Sequence, residues 1–127
     1  MNRAGLDCVI GVIGVGVVGT AIKNVLESFQ IPTKVYDKYK NIGSGVDEML
    51  DCNMIFICLP TPFMSSLISG SEYGGHYDKR ELYNVIDRLA LLKFKGTIII
   101  KSTVEPGTTK TLQMKYPDLL LVHNPAG

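Results

Sequence analysis

The spacing of three glycines at residues 14–19 constrains this chain more than any other feature. Gly14-Val15-Gly16-Val17-Val18-Gly19 is a G-x-G-x-x-G. Alone the pattern is weak, because glycine-rich turns are common. Its setting carries the information. Cys8–Ile13 (CVIGVI) precedes it, a short apolar run that reads as a buried strand. After it, Val18, Ala21, Ile22, Val25, Leu26 and Phe29 recur at helical spacing, with Lys23, Asn24, Glu27 and Ser28 on the other face. Pro32 stops that helix. In such a strand–turn–helix the first glycine permits the tight turn. The second removes a Cβ where a pyrophosphate approaches the backbone, and the third lets helix and strand pack closely. The helix N-terminus adds free N–H groups and the positive end of its dipole.

A second strand is expected at Thr33–Asp37 (TKVYD), and Asp37 ends it 18 residues after Gly19. The dinucleotide fingerprint places an acidic residue about 20 residues on. A carboxylate there accepts hydrogen bonds from ribose hydroxyls and repels a 2′-phosphate, which favours NAD over NADP. Lys38 follows directly and works against that preference. Two alternatives stay open on the residues alone. FAD binding uses a similar fingerprint, and a ligand-free tight turn with a surface aspartate is the plainer reading.

The rest of the chain continues the alternation. Residues 38–50 read as a loop with at most a short helix. Met54–Leu59 (MIFICL) reads as a third strand, buried on both faces. Residues 60–77 hold two prolines, four serines and three of the glycines, a long connection for a compact domain. Asp78, three residues before Glu81, resembles a capping box, and Leu82, Val85, Ile86, Leu89 and Leu92 form an apolar stripe behind it. Thr97–Lys101 (TIIIK) is a fourth strand. Pro106 suits the first turn of a short helix through Tyr116, and Leu119–Val122 (LLLV) is a fifth strand. Strands that are apolar throughout and alternate with helices indicate an α/β fold: a doubly wound parallel sheet of about five strands in three layers. Five strands would make one mononucleotide-binding half plus the start of the second. The 127 residues show no composition break, so residues 1–127 are read as one domain.

Composition excludes several classes. Apolar residues make up 46% and charged residues 20%, a globular balance. Thirteen basic against twelve acidic residues leave a net charge of +1, with no basic stripe for nucleic acid. No apolar run approaches the roughly 20 residues needed to span a bilayer, and MNRAGLD is unlike a signal peptide. Cys8, Cys52 and Cys58 show no C-x-x-C spacing and suit a reducing cytoplasm rather than zinc or disulfides. No metal site is expected. His76 and His123 read as solvated or locally bonded side chains, Tyr73 and Tyr77 as loop residues. Lys93 and Lys95 read as partners of a helix C-terminus.

In an open parallel sheet, ligands sit outside the carboxyl ends of the strands. The third strand runs into Leu59-Pro60-Thr61-Pro62, the fourth into Lys101-Ser102-Thr103, the fifth into His123-Asn124-Pro125. Singly, Pro60-Thr61-Pro62 also reads as a rigid turn and Ser102-Thr103 as a helix cap. Together, GVIGVGVVG at 11–19, the Asp37 strand end, LPTP at 59–62, KSTVEPGTT at 101–109 and HNP at 123–125 resemble the UDP-glucose/GDP-mannose dehydrogenases. The likeness covers essentially the whole chain but only the N-terminal, Rossmann-type NAD-binding part of that family. KSTVEPGTT is its most specific stretch.

The resemblance implies that Gly14, Val15, Gly16, Val17, Val18 and Gly19 cradle the NAD pyrophosphate and that Asp37 holds the adenine-side ribose. Leu59, Pro60, Thr61 and Pro62 would line the cofactor pocket, and Ser102 and Thr103 would lie near the nicotinamide, with Thr103 in a catalytic, organising role. Family members oxidise the sugar C6 alcohol twice with NAD, holding an aldehyde on a cysteine of a substrate-binding domain that this chain lacks. None of the cysteines here is a stand-in for it. The family's N-P-E reads N-P-A here, with Ala126 in place of the catalytic glutamate. The implied function is NAD binding without turnover, in a cytoplasmic protein. The nucleotide-sugar substrate would be met only by the missing domain, and a homodimer is possible for a full-length protein. A stand-alone NAD-binding module with a sensing, sequestering or docking role is the rival. A hydroxy-acid dehydrogenase is a third reading, disfavoured by LPTP and KSTVEPGTT.

Overall fold

The apolar run before the glycines forms strand β1 (Ile10–Ile13), and the glycine turn leads directly into helix α1 (Val17–Ser28). The computed structural model describes residues 8–64 and 75–125. After α1 come β2 (Thr33–Tyr36), a one-turn 3-10 helix (Val46–Met49), β3 (Met54–Ile57), β4 (Phe63–Met64) and β5 (His76–Tyr77). Helix α2 (Arg80–Leu91), β6 (Thr97–Ile100), α3 (Thr108–Lys115) and β7 (Leu120–His123) complete the described chain. Five strands form one parallel sheet in the order β2-β1-β3-β6-β7, and β4 and β5 pair antiparallel beside it. This is a Rossmann-type α/β fold.

The strand order corrects one expectation. The sheet is not a full first half with the second begun. Two strands lie on one side of the point where the order reverses, between β1 and β3, and three on the other. The segment after β2 is a loop with one 3-10 turn, and it carries the chain past β1 instead of adding a third strand beyond β2.

The strands end level. Ile13 is paired with Tyr36 and Ile57, Ile57 with Ile100, and Ile100 with His123. The next residues, Gly14, Asp37, Cys58, Lys101 and Asn124, therefore form a row along one rim. Backbone bonds extend the ladders into that row, from Gly14 N–H to Tyr36 O at 2.8 Å and from Cys58 N–H to Ile13 O at 2.7 Å. Helices cover both faces. Ile13, Ile55, Ile57, Ile98 and Ile100 are buried with Met49, Leu82, Ile86 and Leu89 on the α2 side. Ile10 and Val12 pack with Leu26 on the α1 side. Each such side chain contributes about 1.5–3 kcal/mol by leaving water.

Three local expectations change. The buried face of α1 is narrower than its stripe: Gly19 and Leu26 are buried and Ile22 half-buried, while Val25 and Phe29 are exposed. The helix sits so close at Gly19 that its Gly19 side faces the sheet, which turns the other apolar positions outward. Asp78 does not close a capping box. Lys79 is the cap residue of α2, Asp78 accepts the Arg80 amide at 3.2 Å and pairs with its guanidinium, and Glu81 bonds Tyr39 instead. Pro106 lies in the turn before α3, whose cap is Gly107 at φ 89°, a left-handed conformation suited to glycine. Of the connection expected at 60–77, both ends form the β4–β5 ladder, with Phe63 and Tyr77 edge to face at 5.3 Å. Residues 65–74, with Tyr73, and Ala126 lie outside the described residues.

Candidate functional site

At the reversal point the loops after β1 and β3 part, and a cleft of about 770 Å³ opens there. Its walls come from four strand ends. Gly14, Gly16, Val17 and Val18 follow β1, Asp37, Tyr39 and Lys40 follow β2, Cys58 to Pro62 follow β3, and Lys101 to Thr103 follow β6. Tyr77 closes one side. The cleft thus gathers eleven of the thirteen residues expected to hold a cofactor. Val15 and Gly19 stand behind it.

Those two build the loop rather than line it. A Cβ on Gly19 would lie 1.8 Å from the Gly14 carbonyl oxygen, so the third glycine is where helix and strand meet backbone to backbone. Gly14 itself, at φ 93°, lies against the Cys58 carbonyl, which a Cβ would approach to 2.6 Å. Gly16 is different. Nothing lies within 4 Å of the Cβ it lacks, so the space at the N-terminus of α1 is open towards the cleft. Val15 is 6% exposed. Its backbone is gripped from both ends: its N–H donates to Asp37 Oδ2 at 2.8 Å, and its carbonyl accepts Lys40 Nζ at 2.6 Å and Thr20 Oγ1 at 3.1 Å.

Asp37 is 9% exposed, yet it meets the cleft. Its other oxygen, Oδ1, accepts the amides of Tyr39 at 3.0 Å and Lys40 at 3.1 Å. This is an Asx-type turn, in which an aspartate bonds backbone two and three residues on. The turn aims Tyr39 and Lys40 at the cleft. Neither was singled out by the sequence, although Asp followed by a short polar run is a signal for such a turn. The Tyr39 hydroxyl donates to Glu81 Oε1 at 2.8 Å, and that bond raises its pKa.

The β3 and β6 ends are tied together. The Ser102 hydroxyl donates to the Leu59 carbonyl at 2.7 Å and is buried by it. The Thr61 hydroxyl donates to the Thr103 carbonyl at 2.5 Å. Ser102 therefore braces the wall, while Thr103 is exposed and its hydroxyl makes no bond among the described residues. His123 Nε2 lies 3.3 Å from the Ser102 carbonyl, and Lys101 Nζ donates to Asn124 Oδ1 at 3.3 Å. Cys58 lines the cleft, but burial pushes its thiol up to about 11, so it is protonated at neutral pH and is no nucleophile. Among the described residues no three His, Cys, Asp or Glu side chains gather as a metal site, and no helix is long and apolar enough to cross a membrane.

One ion pair anchors the far wall. Lys79 Nζ donates to Glu105 Oε1 at 2.6 Å, and the Tyr77 amide donates to Oε2 at 3.1 Å, joining β5 to the segment before α3. Lys79 holds the Glu105 carboxyl down at about 2, against an ordinary 4.5. A depressed carboxyl stabilises the fold above its unfolded value, and that stabilisation is lost as pH falls from about 4.5 towards about 2. Glu105 is about one-third exposed, so solvent screening limits the effect to about 1 kcal/mol. Glu105→Gln is expected to lower the melting temperature slightly at neutral pH and to lessen its fall in acid. Identical melting curves for the two proteins across that window would remove the anchor from the account.

No protein-family model matches the chain, and no curated protein sequence matches it. Solved structures do. A 3-hydroxyisobutyrate dehydrogenase from Mycobacterium tuberculosis, solved with L-serine, matches 94% of this chain with a TM-score of 0.71 at 12% identity. A UDP-glucose dehydrogenase from the hyperthermophilic archaeon Pyrobaculum islandicum matches 100% with a TM-score of 0.68 at 17% identity. RSP, solved with β-NAD+ and operator DNA, matches 94% with a TM-score of 0.55 at 16% identity. At these identities the likeness is one of fold. The chain spans 41% and 38% of the two dehydrogenases and 52% of RSP.

Proposed function

We propose that the chain is the NAD-binding part of an oxidoreductase similar to the UDP-glucose 6-dehydrogenases. The observation that carries this reading is the open space at Gly16, at the N-terminus of α1, in the same reversal-point cleft as Asp37. The residues fit a dinucleotide. Free amides at the start of α1 suit the two phosphates, and the missing Cβ at Gly16 leaves room for them. Asp37 retains one acceptor position for a ribose hydroxyl, since three of about four are taken by amides. Pro60 and Pro62 supply a stiff apolar wall. Thr103 offers a hydroxyl at the β6 end, where the nicotinamide would lie, and Ser102 keeps that end in place.

Bound NAD+ would supply the hydride acceptor, and the protein's part is binding and orientation. The nucleotide-sugar specificity rests on LPTP and KSTVEPGTT, supported by the fold likeness to a UDP-glucose dehydrogenase over 38% of its length. A substrate domain, the sugar substrate and a homodimer would belong to a longer protein. The second reading, an NAD-binding sensory module, draws support from the fold shared with RSP, which was solved with β-NAD+. Calorimetric titration with NAD+ and with UDP-glucose tests the first reading. Saturable NAD+ binding without a response to UDP-glucose is expected. Absence of NAD+ binding would overturn both readings. In the gene, a reading frame that continues into a glycine-rich cysteine motif favours the enzyme, and a stop codon after Gly127 favours the module.

A further inference from the structure

The acidic residue at the end of β2 is commonly what excludes a 2′-phosphate: it carries a negative charge and occupies the ribose hydroxyls. In this protein that charge is largely engaged. The amides of Val15, Tyr39 and Lys40 all close on the Asp37 carboxylate, at 2.8, 3.0 and 3.1 Å. The turn that Asp37 opens also carries two lysines. Lys40 lines the cleft, with one of its three N–H donors on the Val15 carbonyl at 2.6 Å. Lys38 does not line this cleft but a neighbouring pocket shared with Tyr39, its Nζ 5.7 Å from the ring centroid. Residues 37–40 thus carry one negative and two positive charges, a net +1 in the turn that ends β2.

We infer that the adenosine end of this cleft admits a 2′-phosphorylated dinucleotide as well as NAD+, with Lys40 as the residue that sets the preference and Lys38 adding positive charge to the same turn. The inference rests on the dinucleotide-binding reading above. Lys40 has spare donors and a flexible stem, so a phosphate can share or take over the bond it now makes to Val15. Asp37, held in place by three amides, acts chiefly as the hub of the loop and only with its remaining acceptor position as a ribose ligand.

Titrating NAD+ and NADP+ against the protein and against the Lys38→Ala/Lys40→Ala double variant, at low and high salt, tests this. The NADP+ dissociation constant is expected within about tenfold of that for NAD+ in the unaltered protein. In the double variant the ratio of the two constants is expected to rise by about tenfold or more. Added salt should raise the ratio in the unaltered protein, because the 2′-phosphate contact is screened. A protein that binds NAD+ and discriminates against NADP+ by clearly more than that overturns this inference alone. So does an unchanged ratio in a double variant whose thermal melt shows it folded. If neither dinucleotide binds, the dinucleotide-binding reading falls and takes this inference with it.

Discussion

Gly19→Ala is expected to damage the fold, whereas Gly16→Ala is expected to leave the fold standing and remove dinucleotide binding. The added methyl at 19 would lie 1.8 Å from the Gly14 oxygen and 2.9 Å from its carbonyl carbon. Both atoms are backbone, at the turn that joins β1 to α1, so no side chain can move aside. Either α1 lifts from the sheet, exposing Ile10, Val12 and Leu26, or the turn unwinds. Overpacking of this kind costs about 3 kcal/mol, a large share of a small domain's stability of about 5–15 kcal/mol. At 16 the same methyl meets nothing, and φ of −79° is ordinary for alanine, so stability should change by about 1 kcal/mol or less. The methyl would instead fill the space where phosphates approach the start of α1. Thermal melts and NAD+ titrations of both variants separate the two effects. A Gly16→Ala protein that binds NAD+ with unaltered affinity would sink the assignment of that space to the pyrophosphate.

Asp37→Ala should cost both stability and binding. Removing the carboxylate strips three amides of their acceptor, and the Val15 amide lies in a buried setting where water does not readily replace it. A hydrogen bond to a charged group contributes about 1.5–3 kcal/mol, and solvent can reach Tyr39 and Lys40, so a loss of about 3 kcal/mol is expected. NAD+ affinity should fall by about tenfold or more, because the glycine loop loses its brace along with the ribose ligand. Asp37→Asn keeps one acceptor oxygen and should fall between the two proteins in both measurements. An Asp37→Ala protein that melts with the unaltered one, and merely changes its choice of dinucleotide, would show the aspartate to be a ligand and no hub.

Much of the fold was legible because the signals are local. The runs CVIGVI, TKVYD, MIFICL and TIIIK each contain a strand and LLLV most of one, since short apolar, β-branched stretches bounded by turn residues favour strands of a sheet packed under helices. The stripe Leu82, Val85, Ile86 and Leu89 is the buried face of α2 because its 3.6-residue spacing admits one face to the core. The same reasoning placed α1 but misjudged its buried face. Its apolar residues cover more than one face, and which face turns inward depends on the close approach at Gly19, a contact with Gly14 and not a property of the helix. Asp78 likewise reads as a cap until Arg80 competes for its carboxylate and Tyr39, from across the molecule, takes Glu81.

The site divides along the same line. By itself the sequence determined that a glycine turn joins a strand to a helix, that an acid ends the next strand, and that polar residues collect at the strand ends. Each of these is written within a few neighbouring residues. Only the tertiary structure decided that the five strands end level, and that the order reverses between β1 and β3. It also decided that Val15 and Gly19 support the cleft from behind while Tyr39 and Lys40 face it. Above all, it decided that the Asp37 carboxylate is shared among three amides. A side chain's remaining hydrogen-bonding capacity depends on every group that folding brings to it, and two of the four groups that set the state of Asp37 and Lys40, the Val15 amide and carbonyl, lie more than twenty residues away in the chain.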